Sequence, residues 1–123
     1  MLTGTSGVEV LSAARLSKEQ TRARNKETLL EIINSTELSD EQNQDAVDSM
    51  VRMTDIAEKE AAAEVLLQAK GFQEAVVSIN GDAVDVVINA AELSDAQRAQ
   101  IEDIVKRKTD IAAENIVIST IVQ

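Results

Sequence analysis

The side chains that could carry chemistry fall into four groups. Asp40, Glu41, Asp45 and Asp48 crowd one acidic segment. Two carboxylates make a glycoside hydrolase only when they converge across a cleft, and along a helix these four form a solvated face. Serines recur, but a Ser nucleophile needs a general base and an oxyanion hole. The chain has no His and no Cys, and no G-x-S-x-G or S-x-x-K element supplies a substitute. "NGDAVD" at residues 80–85 lacks the D-x-D-x-D-G alternation of a calcium loop. The basic run Lys106, Arg107, Lys108 could hold an anion, but at a helix C-terminus it first complements the dipole. None of the four Gly residues builds a phosphate loop. The chain is expected to be no enzyme and to use no cofactor or metal.

Composition narrows the partners. The chain has 123 residues, room for one domain, and is 44% hydrophobic. One Phe and no Trp or Tyr leave Ala, Val, Ile and Leu to fill the core. The net charge is −10. Residues 1–35 carry five basic and four acidic groups (+1), residues 36–70 three and nine (−6), and residues 71–123 four and nine (−5). An acidic body repels phosphate backbones, so nucleic acid is not an expected partner. An RNA-binding KH domain would also need a G-x-x-G clamp, which is missing. No run approaches the ~20 apolar residues of a membrane span. Residues 1–16 read as a flexible leader before a single α+β domain over 17–123.

The elements follow from pattern. Helix 1 is expected from Ser17, with a polar first half that reads as a solvated stalk and an apolar end at Leu29, Leu30, Ile32 and Ile33. Helix 2 runs from Ser39 to Gly71 behind a stripe of Ala46, Met50, Met53 and Ala57, or one of Val47, Met50 or Val51, Ala57 and Ala61, and Gly71 suits its C′ position. Asn80-Gly81 between alternating runs signals a hairpin. Read as the two loop residues, they set Ile79 opposite Asp82, Val77 opposite Val84 and Ala75 opposite Val86 on one buried face. Helix 3 starts at Ser94 and buries Ile101, Ile104 and Val105. Strand 3 is "NIVISTIV", Asn115 to Val122. The expected fold class is α+β, ordered α-α-β-β-α-β. It has a three-stranded sheet in the spatial order 2-1-3, helices packed on one face, and a long N-terminal helix in front.

The runs "ETLLEIINS", "MVRMTDIAEKEAAAEVLLQAKGFQEAVVSINGDAVDVVINA" and "ELSDAQRAQIEDIVKRKTDIAAENIVIST" resemble the stage III sporulation protein AH family of endospore-forming Firmicutes. The most telling part is the helix running into "AKGFQEAVVSINGDAVDVVI". The resemblance covers roughly residues 15–121. It implies a ring-building fold like that of ring components of secretion and flagellar bases. It further implies a domain in the space between mother cell and forespore, tied to the mother-cell membrane by an N-terminal helix that this chain lacks. The implied partner is stage II sporulation protein Q, and the implied role is a channel or zipper between the two cells, with a possible homo-oligomeric ring. The alternative is a ring subunit of a secretion-like or flagellar-like apparatus outside sporulation.

Two readings complete the sequence's account. Asp85, Val87, Asn89, Val117 and Ser119 fall on the outer sheet face, which is neither fully polar nor core, and are the candidate partner-binding residues. "ELSDEQ" at Glu37 and "ELSDAQ" at Glu92 are one helix start signal used twice, Ser39 and Ser94 each with a Gln three residues on, not a duplicated domain.

Overall fold

The computed structural model describes residues 7–35 and 38–121. The order is α1 (Gly7–Ile33), α2 (Asp40–Ala69), β1 (Ala75–Asn80), β2 (Ala83–Asn89), α3 (Asp95–Thr109), a short 3-10 turn (Ala113–Asn115) and β3 (Ile116–Ile121). This is the expected α+β order.

Both repeated start signals cap helices. Ser39 Oγ accepts the Gln42 N–H while the Gln42 side chain accepts the Ser39 N–H, and Ser94 and Gln97 do the same. Each box satisfies two backbone donors that a helix start otherwise leaves open. Helix α2 is about 45 Å long at 1.5 Å per residue. Gly71, at φ 102°, turns the chain out of it, and the Phe72 N–H bonds back to the Leu67 carbonyl. Helix α3 ends instead on Asp110 in the left-handed region, φ 62°.

The core lies between one sheet face and helices α2 and α3. Ala75, Val77 and Ile79 of β1 and Val84, Val86 and Ile88 of β2 meet Ala63, Leu67, Ile101, Ile104 and Val105. The single aromatic, Phe72, is buried at the end of α2. Ile116 and Ile118 extend the same face into β3.

Four expectations need correction. The sheet order is β1-β2-β3, with β3 parallel to β2, not 2-1-3. The edge of β1 that β3 would have needed is already occupied by side chains from α1 and α2, described below. The hairpin is shifted: Asn80 pairs with Ala83, Ile79 with Val84, Val77 with Val86 and Ala75 with Ile88. The loop is Gly81-Asp82, and only Gly81 has positive φ, 61°, as in a type II′ turn. Moving the loop one residue along changes every partner but keeps the same residues on the buried face. Helix α1 begins at Gly7, not Ser17. Residues 8–16 contain no breaker and several good helix formers, including Leu11, Ala13 and Ala14, and Leu11 is buried. Ser17 is therefore an interior residue of α1, and only residues 1–6 of the expected leader lie outside the described residues. Finally, the buried residues of α2 are Ala46, Glu60, Ala63 and Leu67, with Met50, Met53 and Ile56 half-buried, while Ala57 and Ala61 are exposed.

Candidate functional site

Two surfaces are built by this fold, and the sequence pointed to one of them. On the sheet face opposite the core, the parallel register of β2 and β3 sets Asp85 beside Val117, Val87 beside Ser119 and Asn89 beside Ile121. The five candidate residues thus form one continuous patch. Asp85 and Ser119 are exposed, Val87 and Asn89 half-buried, and Val117 is 53% exposed. Across the hairpin, Val87 also pairs with Val76, which is buried although it points away from the main core. The patch is apolar in the middle and polar around it, the composition of a small protein contact.

The second surface is the edge of β1, and the sequence reading missed it. A strand edge presents alternating N–H and C=O groups. Here each kind has a charged partner of matching chemistry. From α2, Glu64 Oε2 accepts the Val77 N–H at 2.8 Å and Glu60 Oε2 accepts the Ile79 N–H at 2.7 Å. From α1, Arg15 Nη2 donates to the Ala75 carbonyl at 2.6 Å and Lys18 Nζ to the Val77 carbonyl at 2.9 Å. The two helices are tied through the same groups. Arg22 grips Glu60 with both terminal nitrogens, Nη2 to Oε2 at 2.8 Å. Lys18 Nζ lies 3.3 Å from Glu60 Oε1 and 3.8 Å from Glu64 Oε2.

Glu60 is only 3% exposed. Burial alone would push its carboxyl up, but the Arg22 hydrogen bonds, the Ile79 N–H and the charges of Lys18 and Arg22 together hold it below the ordinary range. Arg22 is raised, chiefly by its hydrogen bond to Glu60 against the opposing effect of burial. A sequence signal existed. Ile56, Glu60, Ala63 and Leu67 repeat at steps of four, three and four, so a carboxylate sits within the core-facing stripe of α2.

The polar half of α1 is not the solvated stalk its sequence suggests. The polar half of α1 supplies Arg15, Lys18 and Arg22 to the β1 edge. Between α1 and α2 a groove of about 550 Å³ remains, floored by Met50, Met53, Ala57 and Ala61, which is why those alanines are exposed. The basic run Lys106–Lys108 lies exposed in the last turn of α3, where Arg107 Nε pairs with Asp103 at 3.1 Å.

The family model of SpoIIIAH-like proteins matches residues 3–118. The chain belongs to the SpoIIIAH-like family. Among curated relatives of this family, stage III sporulation protein AH of Bacillus subtilis (strain 168) is 23% identical over 108 residues. The match takes in 88% of this chain and 50% of that protein, so the chain spans about half the length of the relative. A chain in a solved structure entitled "Structure of the SpoIIQ-SpoIIIAH pore forming complex" superposes with a TM-score of 0.82 at 21% identity. The superposition covers 93% of this chain and 98% of that one, and it shows that the SpoIIIAH-like fold is shared throughout. Among the described residues, no helix is long and apolar enough to cross a membrane.

Proposed function

We propose that this SpoIIIAH-like domain is a non-enzymatic structural and interaction module of a sporulation channel, working in the space between mother cell and forespore. The observation that carries the reading is the family match over residues 3–118. The superposed chain comes from a pore-forming complex with SpoIIQ, and that makes SpoIIQ the partner to test first. A ring-building role rests on the fold resemblance. The alternative, a secretion-like apparatus outside sporulation, loses ground because both similar proteins are sporulation proteins.

The patch of Asp85, Val87, Asn89, Val117 and Ser119 is the contact surface in this proposal. Its support is an exposed Val117 diagonal to a half-buried Val87 in a polar surround. Ring assembly of many copies would gain from membrane anchoring and from the partner, both of which raise local concentration. Size-exclusion chromatography with the folded SpoIIQ partner domain tests the reading. Co-elution as a stable complex at micromolar concentration supports it, and separate elution of two folded proteins overturns it.

A further inference from the structure

Helix α1 is held along most of its length by charge and hardly at all by apolar burial. Among its described side chains only Leu11 is buried. Leu29, Ile32 and Ile33 are half-buried at the far end, next to the turn into α2. Between these two points the grip is Arg15, Lys18 and Arg22, on the β1 carbonyls and on Glu60 and Glu64. The open groove between α1 and α2 lies over the same stretch. Arg15 Nε is moreover buried without a hydrogen-bond partner, a desolvation cost that weakens the net grip.

The division of labour along the β1 edge matters. The carboxylates that take the Val77 and Ile79 donors belong to α2, part of the core. The cations that take the Ala75 and Val77 acceptors belong to α1. Lifting α1 would leave the core standing. It would remove the Arg15 and Lys18 partners of the Ala75 and Val77 carbonyls and strip Glu60 of Lys18 and Arg22.

We infer that α1 is a detachable guard: its amino-terminal two-thirds unseats from the β1 edge as a unit, bending ahead of Leu29, Ile32 and Ile33, which keep their half-buried places, while the sheet, α2 and α3 stay folded. Such partial openings are ordinary where few apolar contacts cross a boundary. Release converts β1 from a closed strand edge into one whose Ala75 and Val77 carbonyls are uncovered.

Residue-resolved hydrogen exchange on the full chain tests this, comparing the native protein with the Lys18→Ala, Arg22→Ala double variant. The amides of residues 11–22 should exchange at least tenfold faster in the variant, while Val77 and Ile79, whose amides stay bonded to the α2 carboxylates, should change far less. Val76 and Ser78, whose amides alternate toward β2, should be unchanged, as should α3. Acceleration of all amides together would show that α1 opens only with global unfolding and would overturn the inference. So would no change in residues 11–22. If the variant does not fold, the native chain is measured from about 50 mM to 1 M salt, where the screening length falls from over 10 Å to about 3 Å. Faster exchange confined to α1 supports the guard, and salt-independent exchange there overturns it.

Discussion

Arg22 of α1 and Glu60 of α2 face each other fork to fork, and the Glu60 oxygen that receives Arg22 Nη2 also receives the Ile79 N–H of β1. One carboxylate therefore joins three elements. A planar guanidinium fits this site as an ammonium could not, because both carboxylate oxygens are engaged at once.

Glu60→Ala should destabilise the fold by about 2–4 kcal/mol. The loss of a buried pair's partner ordinarily costs about 3–5 kcal/mol, and the estimate is lower because Arg22 and Lys18 keep part of their hydration. Glu60→Met should recover little, since the Ile79 N–H stays without an acceptor. The shift of the urea midpoint, at constant slope, measures both.

Acid should loosen the same junction. The folded carboxyl of Glu60 lies below its ordinary 4.5, so the native state binds that proton less readily than the unfolded chain. Its stabilisation is complete above about pH 4.5 and fades as pH falls from there through the lowered folded value. Arg22, raised from an already high value, adds no pH dependence in this window. Stability measured against pH should fall less steeply below 4.5 in Glu60→Gln than in the native chain. Equal slopes would remove Glu60 from the account.

Gly81→Ala should cost about 1–2 kcal/mol. The added Cβ meets nothing within 4 Å, so the penalty is the positive φ alone. Gly81→Asn should cost less, because Asn tolerates that region better. Thermal or urea unfolding of the pair separates backbone strain from crowding.

Ser94→Ala should lower stability by about 1 kcal/mol, as loss of a capping hydroxyl typically does. Ser39→Ala removes an equivalent box from a helix end whose surroundings are mostly exposed. It should act mainly as faster hydrogen exchange at residues 40–43 and less as a shift in the unfolding midpoint.

Val117→Asp should leave stability within about 0.5 kcal/mol, as at other exposed positions. If the proposed contact with SpoIIQ uses this face, it should weaken that binding tenfold or more by placing a second carboxylate beside Asp85. Equal affinity in a titration would move the contact off this face.

Some of this molecule is written locally, and that part was readable. The capping boxes need only four residues each, and both stand where Ser39 and Ser94 put them. The buried strand face follows from a period of two, so Val77, Val84 and Val86 were placed correctly even with the wrong loop. The register itself was not decidable that way. Shifting the turn from Asn80-Gly81 to Gly81-Asp82 preserves the parity, and only the sign of φ at each position separates the two. The outer patch was readable for the same reason as the core, being its complement.

Of the charged junction only Glu60 within the α2 stripe left a local signal, and its partners were not legible because they lie far along the chain. Arg15 and Ala75 are 60 residues apart, and Arg22 and Glu60 are 38 apart. A polar helix with no apolar stripe looks like a solvated stalk until a strand edge is placed beside it. The strand order failed with it. Once α1 and α2 take the β1 edge, β3 has only β2 left to join.

A sheet with one sealed margin has a limited grammar of assembly. While α1 is seated, β3 offers the remaining open strand edge. Two copies joined edge to edge through β3 would use the same element twice and close as a pair, with nothing left to add a third. A ring needs two different, complementary patches on every subunit. With α1 seated, a ring of this domain would therefore be laid like staves, broad face against broad face, and not stitched along its strands.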